Sequence, residues 1–134
     1  MSDAPNPVHL EAYFDAEAPA SGLPPRFGIV TAYSAGSRLA PASLNATMDA
    51  ELEALLRGRR VIHFRVTGRS RDGAHQEPGY GIAADSPEEI RPISRRFRQE
   101  AFFWVQDGTV YVINTGGTML HRVGKWTERL VERD

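Results

Sequence analysis

His75 stands two residues before Glu77. An imidazole and a carboxylate at that spacing suit a general base and its partner, because histidine changes charge near neutral pH. No Ser, Thr or Asp is fixed beside them by spacing. The simpler reading is therefore an exposed loop histidine next to a carboxylate at a strand edge. The other histidines, His9, His63 and His121, are scattered, with no His-x₃-His or His-Glu-x-x-His spacing, and there is no cysteine. No metal is expected on that ground. Arg91, Arg95 and Arg98 recur at helical spacing, and Arg57, Arg59, Arg60, Arg65, Arg69 and Arg71 form a second basic run. Such rows can grip phosphate or RNA, with Tyr80 or Trp104 for stacking. They also make an ordinary solvated helix face paired with Glu88 and Glu89. The formal net charge is −1, so nucleic acid is not the favoured partner. Tyr80 between Gly79 and Gly81 lacks the spacing and following helix of a dinucleotide fingerprint, and no cofactor is expected.

The composition bounds what can hold these residues. At 134 residues the chain is the size of one domain, and 41% hydrophobic content is enough for a core. The absence of cysteine excludes disulfides and thiol nucleophiles. No apolar run approaches the roughly 20 residues that span a bilayer. Met1-Ser2-Asp3-Ala4-Pro5 has no basic stretch leading into an apolar one, so a cytoplasmic location with no membrane partner is expected. Of the 16 basic residues, 15 are arginine and only Lys125 is lysine. Guanidinium suits anion recognition. The accompanying wealth of Ala, Gly and Pro makes GC-rich coding the simpler account.

Hydrophobic periodicity supplies the elements. Residues 1–26 read as an extended or partly ordered segment, with one apolar group at Leu10, Tyr13 and Phe14 that suits either a short strand or a helical turn. A single α+β domain is expected over 27–115, and a C-terminal extension with a possible short helix over 116–134. Phe27 to Tyr33 is apolar on both faces and reads as a central strand. After a polar loop, Ser34 to Pro41, a helix should start at Ser43 as N-cap and close at Gly58, with Leu44, Met48, Leu52, Leu55 and Leu56 on its apolar side. Val61 to Gly68 and Pro78 to Ala84 read as strands either side of a turn at Asp72-Gly73. Ser86-Pro87-Glu88-Glu89 opens a second helix that Pro92 should kink or split. Ala101 to Val105 and Thr109 to Ile113 form a hairpin across Asp107-Gly108. The order β-α-β-β-α-β-β predicts an α+β fold with about five strands and two helices on one face, a ferredoxin-like or related sandwich.

Three clusters in this frame carry a resemblance. They are Ile29-Val30-Thr31-Ala32-Tyr33-Ser34 with Asn45 after it, Asp72-Gly73 leading to Glu77-Pro78, and Arg96-Phe97-Arg98-Gln99-Glu100-Ala101-Phe102-Phe103-Trp104. Together they resemble an uncharacterised bacterial domain-of-unknown-function family. In that family a strand ends Thr-Ala-Trp-Asn-Pro, an Asn opens a helix, a Glu-Pro-Ser follows a charged turn, and Phe-Gly-Gln-x-Ala-Phe closes the second helix. Tyr33 stands here for Trp, Ser34-Ala35 for Asn-Pro, Gly79 for Ser and Arg98 for Gly. The resemblance implies no activity. It implies a set of positions: Thr31, Tyr33, Asn45, Glu77 and Gln99.

One hydroxyl, one phenol, two amides and one carboxylate make a polar pocket without a nucleophile–base pair. The expectation is a non-catalytic module that binds a small polar ligand or a protein at these five residues. His75, Arg69, Arg95 and Arg98 are the secondary candidates. The alternatives are a hydrolase or nuclease-like enzyme using Glu77 or His75, and an RNA-associated accessory protein using its arginine faces.

Overall fold

A computed structural model describes residues 3–34 and 39–131. Part of the Ser34 to Pro41 loop and the end of the C-terminal extension lie outside the described residues. The elements are β1 (Tyr13–Ala16), β2 (Arg26–Thr31), α1 (Ala42–Arg59), β3 (His63–Arg69), β4 (Gln76–Ala83), α2 (Arg91–Arg96), β5 (Ala101–Gln106), β6 (Thr109–Asn114), β7 (His121–Lys125) and α3 (Trp126–Arg129). Two 3₁₀ turns, Pro7–Glu11 and Pro87–Glu89, precede β1 and α2.

The strands form one antiparallel sheet of seven, in the order β1-β3-β4-β2-β5-β6-β7. This corrects the expected five-stranded ferredoxin-like sandwich. The sheet has two more strands and a third α-helix, and it curls into a half-barrel. The physical reason lies in the strands themselves. β2, β5 and β6 are apolar on both faces, and both faces must leave water. On the outer face, Val30, Tyr80, Ile82, Phe102, Trp104 and Ile113 pack under Leu52 and Leu56 of α1 and under Ile93 of α2. On the inner face, Phe27, Ile29, Phe64, Val66, Val105 and Val112 meet one another and are covered by Phe14, Val123 and Trp126. Curling lets one sheet bury its own second face.

The two edges of the curl nearly meet. Phe14 of β1 forms a parallel bridge with Leu130, and Val131 N–H donates to the Phe14 carbonyl at 2.7 Å. The segment before β1 straps across the end of β6 and β7. The Asp3 carboxylate accepts from Thr118 N–H and Met119 N–H, both at 3.0 Å, and Asn114 Nδ2 donates to the Ala4 carbonyl at 3.0 Å.

Local chemistry departs from expectation at two helix ends. Ser43 is not the N-cap of α1; Pro41 stands there, with no side-chain cap. Gly58 lies inside α1, and Arg60 takes the left-handed position with φ 55°. Pro92 divides the second helical region as expected, leaving a 3₁₀ turn and the six residues of α2. The β5–β6 turn is Asp107-Gly108 with φ 53° and 76°, the twist-matched hairpin geometry that this pair favours.

Candidate functional site

The inner face of β3 presents Phe64, Val66 and Gly68, and that of β4 presents Glu77, Gly79 and Gly81. At Gly81 the Phe64 ring occupies the space a side chain would take. At Gly68 nothing does: an added Cβ would meet only the Glu77 carbonyl, at 4.0 Å. The missing side chain helps open a cavity of about 740 Å³ at the mouth of the half-barrel. Its apolar wall comes from Phe14, Ile29, Val66 and Phe103, and the 3₁₀ turn Pro7–Glu11 lies across it. A concave, mostly apolar site with a few convergent polar groups is the usual form of a small-molecule site.

Two histidine–carboxylate pairs stand on the cavity wall. His75 Nε2 lies 3.6 Å from Glu77 Oε2, and His9 Nε2 lies 3.4 Å from Glu100 Oε1. Asn6 Nδ2 also donates to Glu100 Oε1 at 3.2 Å. Burial pushes the Glu77 carboxyl above its ordinary range; His75 opposes this and the Glu100 charge adds to it. Burial pushes the His9 imidazole down, against the pull of Glu100. His9 Nδ1 is buried and has no hydrogen-bond partner among the described residues, and its ring stands edge-on to Phe103 at 6.0 Å between centroids.

The Glu77 shift has a stability consequence. A carboxyl whose folded pKa lies above its ordinary 4.5 holds its proton more tightly when folded. Its contribution is therefore favourable below that value and is lost as pH rises through the folded value. Glu77→Gln should make the protein more stable than wild type at about pH 7, with the gap closing toward about pH 4. Urea melts across that range check this. A glutamine variant that is weaker at neutral pH would mean that the partners of the carboxylate outweigh its burial.

Of the nine candidate positions, Thr31, Tyr33, Glu77, Gln99, His75 and Arg69 border the cavity, whereas Asn45, Arg95 and Arg98 do not. Several act on the backbone. Thr31 Oγ1 donates to the Pro78 carbonyl at 2.7 Å and accepts from Tyr33 N–H at 3.0 Å. Gln99 Nε2 donates to the Tyr33 carbonyl at 3.1 Å. Asn45 Oδ1 accepts from Ser34 N–H at 2.9 Å, holding Ser34 at φ 51°. These side chains fix the exit of β2, which forms part of the cavity rim. Arg95 in α2 and Arg98, two residues past its end, are exposed. Arg91, from the same row, donates to the Asn114 and Thr115 carbonyls at 3.1 and 2.6 Å. His9, Gly68, Glu100, Phe103 and Arg129 were not among the candidates. The apolar group Leu10, Tyr13 and Phe14 was the available signal that the first segment folds onto the sheet.

Residues 30–102 match the family described as “Protein of unknown function (DUF3293)”. The chain belongs to this family. The DUF3293 span runs from within β2 into β5 and includes α1 and α2, so all five positions implied by the motif resemblance fall inside it. His9, Phe14, Phe103 and Arg129, which complete the cavity, fall outside it. No curated protein and no solved structure matches the chain. Among the described residues, no cluster of three or more His, Asp or Glu side chains could hold a metal ion, and no helix is long and apolar enough to cross a membrane.

Proposed function

We propose that the protein is a small-molecule-binding module whose site is the inner-face cavity. The observation that carries this reading is the glycine at 68. Aromatic and branched side chains from β2, β3, β5 and β6 fill most of the inner face, yet at this position it leaves room beside a half-buried carboxylate. A strand interior gains from a packed side chain, so glycine here lowers stability and keeps volume. A carboxylate that folding places against its own ionisation supports the same reading.

Gly68→Leu tests it. The substitution meets no atom closer than ordinary van der Waals contact at its Cβ. It should leave stability unchanged or higher while narrowing the cavity. Native mass spectrometry of the purified protein should show a retained small molecule on the wild type and a smaller fraction carrying it on Gly68→Leu. A wild type that carries no adduct, and that no compound in a thermal-shift panel stabilises, overturns the reading.

A further inference from the structure

We propose that residues 3–9 form a lid on the cavity, latched at one end by Asp3 in the 114–121 loop and hinged at the other, where Arg129 pins Leu10 and Ala12. The inference rests on the cavity being a binding site and adds how its mouth opens.

The latch is a carboxylate in a fitted cradle. One oxygen of the Asp3 carboxylate accepts from both Thr118 N–H and Met119 N–H at 3.0 Å. The Asp3 carbonyl accepts from His121 Nε2 at 2.6 Å and from Asn114 Nδ2 at 3.3 Å. A Cβ on Gly117 would fall in the space that the Asp3 carboxylate fills. The backbone at Gly117 has no positive φ, so the lack of a side chain there serves the guest and not the turn. The Met119 and Thr118 N–H groups hold the Asp3 carboxyl below its ordinary range, so the loop grips the charged form.

The span between latch and hinge is held differently from the sheet beneath it. Each of its residues is exposed or half-buried, and Val8 is 59% exposed although it lines the cavity. Leu10 and Ala12 pack against the inner core, and Arg129 holds their carbonyls at 3.0 and 3.1 Å. That places the hinge between His9 and the start of β1. Over the cavity, Asn6 and His9 touch Glu100, and the His9 ring stands on Phe103. Closure leaves His9 Nδ1 buried without a hydrogen-bond partner among the described residues, a cost that contact with water removes on opening. A segment held by polar contacts, with little buried apolar area, opens at lower free energy than the sheet. Pro5 and Pro7 each fix a φ angle, so the span swings as a stiff piece. Its departure uncovers Phe103 and the apolar wall behind it, as lids do at other binding sites.

Hydrogen exchange of the full chain, read residue by residue, tests the lid. The Val8 and His9 amides should exchange at least about a hundred-fold faster than those of β2 and β4, at a rate that low urea leaves unchanged. Asp3→Ala removes two charge-assisted hydrogen bonds and should speed exchange at Val8 and His9 by about ten-fold, with β2 and β4 unaffected. Gly117→Ala should do the same with Asp3 intact. Both variants should raise the fluorescence of added anilinonaphthalene sulfonate, a reporter of uncovered apolar surface. Exchange at Val8 and His9 that matches β2 and rises with urea would make the segment a fixed part of the fold and overturn the lid. Latch variants that leave this exchange unchanged, or that speed β2 and β4 equally, overturn it as well. These readouts need no ligand. If they show the lid while the wild type carries no adduct and no compound stabilises it, the binding reading alone falls.

Discussion

Replacing Phe14 with alanine should lower the unfolding free energy by about 3–5 kcal/mol, the range for removing a fully buried aromatic side chain. Phe14 has no solvent exposure. Its ring meets Phe103 edge-on at 5.0 Å between centroids and stacks on Trp126 at 5.5 Å. Such pairs add about 0.5–1.5 kcal/mol beyond burial of area. The strand that carries the ring is four residues long and is held on its outer edge by Val131. Little else can rearrange to fill the hole. Phe14→Leu, which keeps most of the volume, should cost about 1.5 kcal/mol. Urea unfolding of both variants checks the pair. An alanine variant within about 1 kcal/mol of wild type would mean that the inner face collapses freely around the gap.

Arg129→Ala should cost about 3 kcal/mol, because three carbonyl oxygens lose their donor at once, at roughly 1 kcal/mol or more each. The Leu10 and Ala12 carbonyls belong to the segment lying across the cavity, and the Val123 carbonyl belongs to β7. The guanidinium also lies 5.2 Å from the centre of the Tyr13 ring. One side chain thus ties the first strand, the last strand and the covering turn together through a planar fork. An ammonium group cannot reproduce that geometry. Arg129→Lys should therefore recover less than half of the loss. Denaturant melts give the energies, and limited proteolysis should show faster cleavage of the first segment in the alanine variant. Full recovery by lysine would show that the charge, and not the fork, holds these strands.

Phe14 lies in a segment whose local signal suits a strand or a helical turn equally, and Arg129 lies in the short helix α3 of the C-terminal extension. β5 and β6 were legible because runs of aromatic and β-branched residues flank Asp107-Gly108. The break at Pro92 was legible because proline removes a backbone donor wherever it falls. β1 and β7 carry no such signal. β1 has one fully buried residue, Phe14, and β7 is His-Arg-Val-Gly-Lys, with charge outweighing apolar content. Their strand character comes from the neighbours they pair with, which a local window does not contain. The clue to a second core was in plain view. β2 alternates Phe27 and Ile29 with Val30, so both faces call for cover, and two helices on one face cannot supply it.

Legibility of the site follows the same division. Glu77 and His75 stood out as charged residues at a strand edge, and both reach the cavity. Asn45 and Gln99, both amides, came from the motif resemblance. Those amides satisfy main-chain groups around Tyr33 and Ser34, a task no motif spacing separates from ligand binding. The pairing of His9 with Glu100 joins two segments distant in the chain, and only the curl of the sheet brings them together.

The bridge between Phe14 and Leu130 also bears on synthesis. β1 leaves the ribosome well before its partners Leu130 and Val131 are made. Helices α1 and α2 can settle on the outer face while translation continues, since their sheet partners β2 to β5 emerge together with them. The inner face stays uncovered until Val123, Trp126 and Val131 are free. Closure of the half-barrel thus waits for residues 123–131. During elongation the same Phe14, Ile29 and Val66 are exposed apolar surface of the kind that chaperones hold.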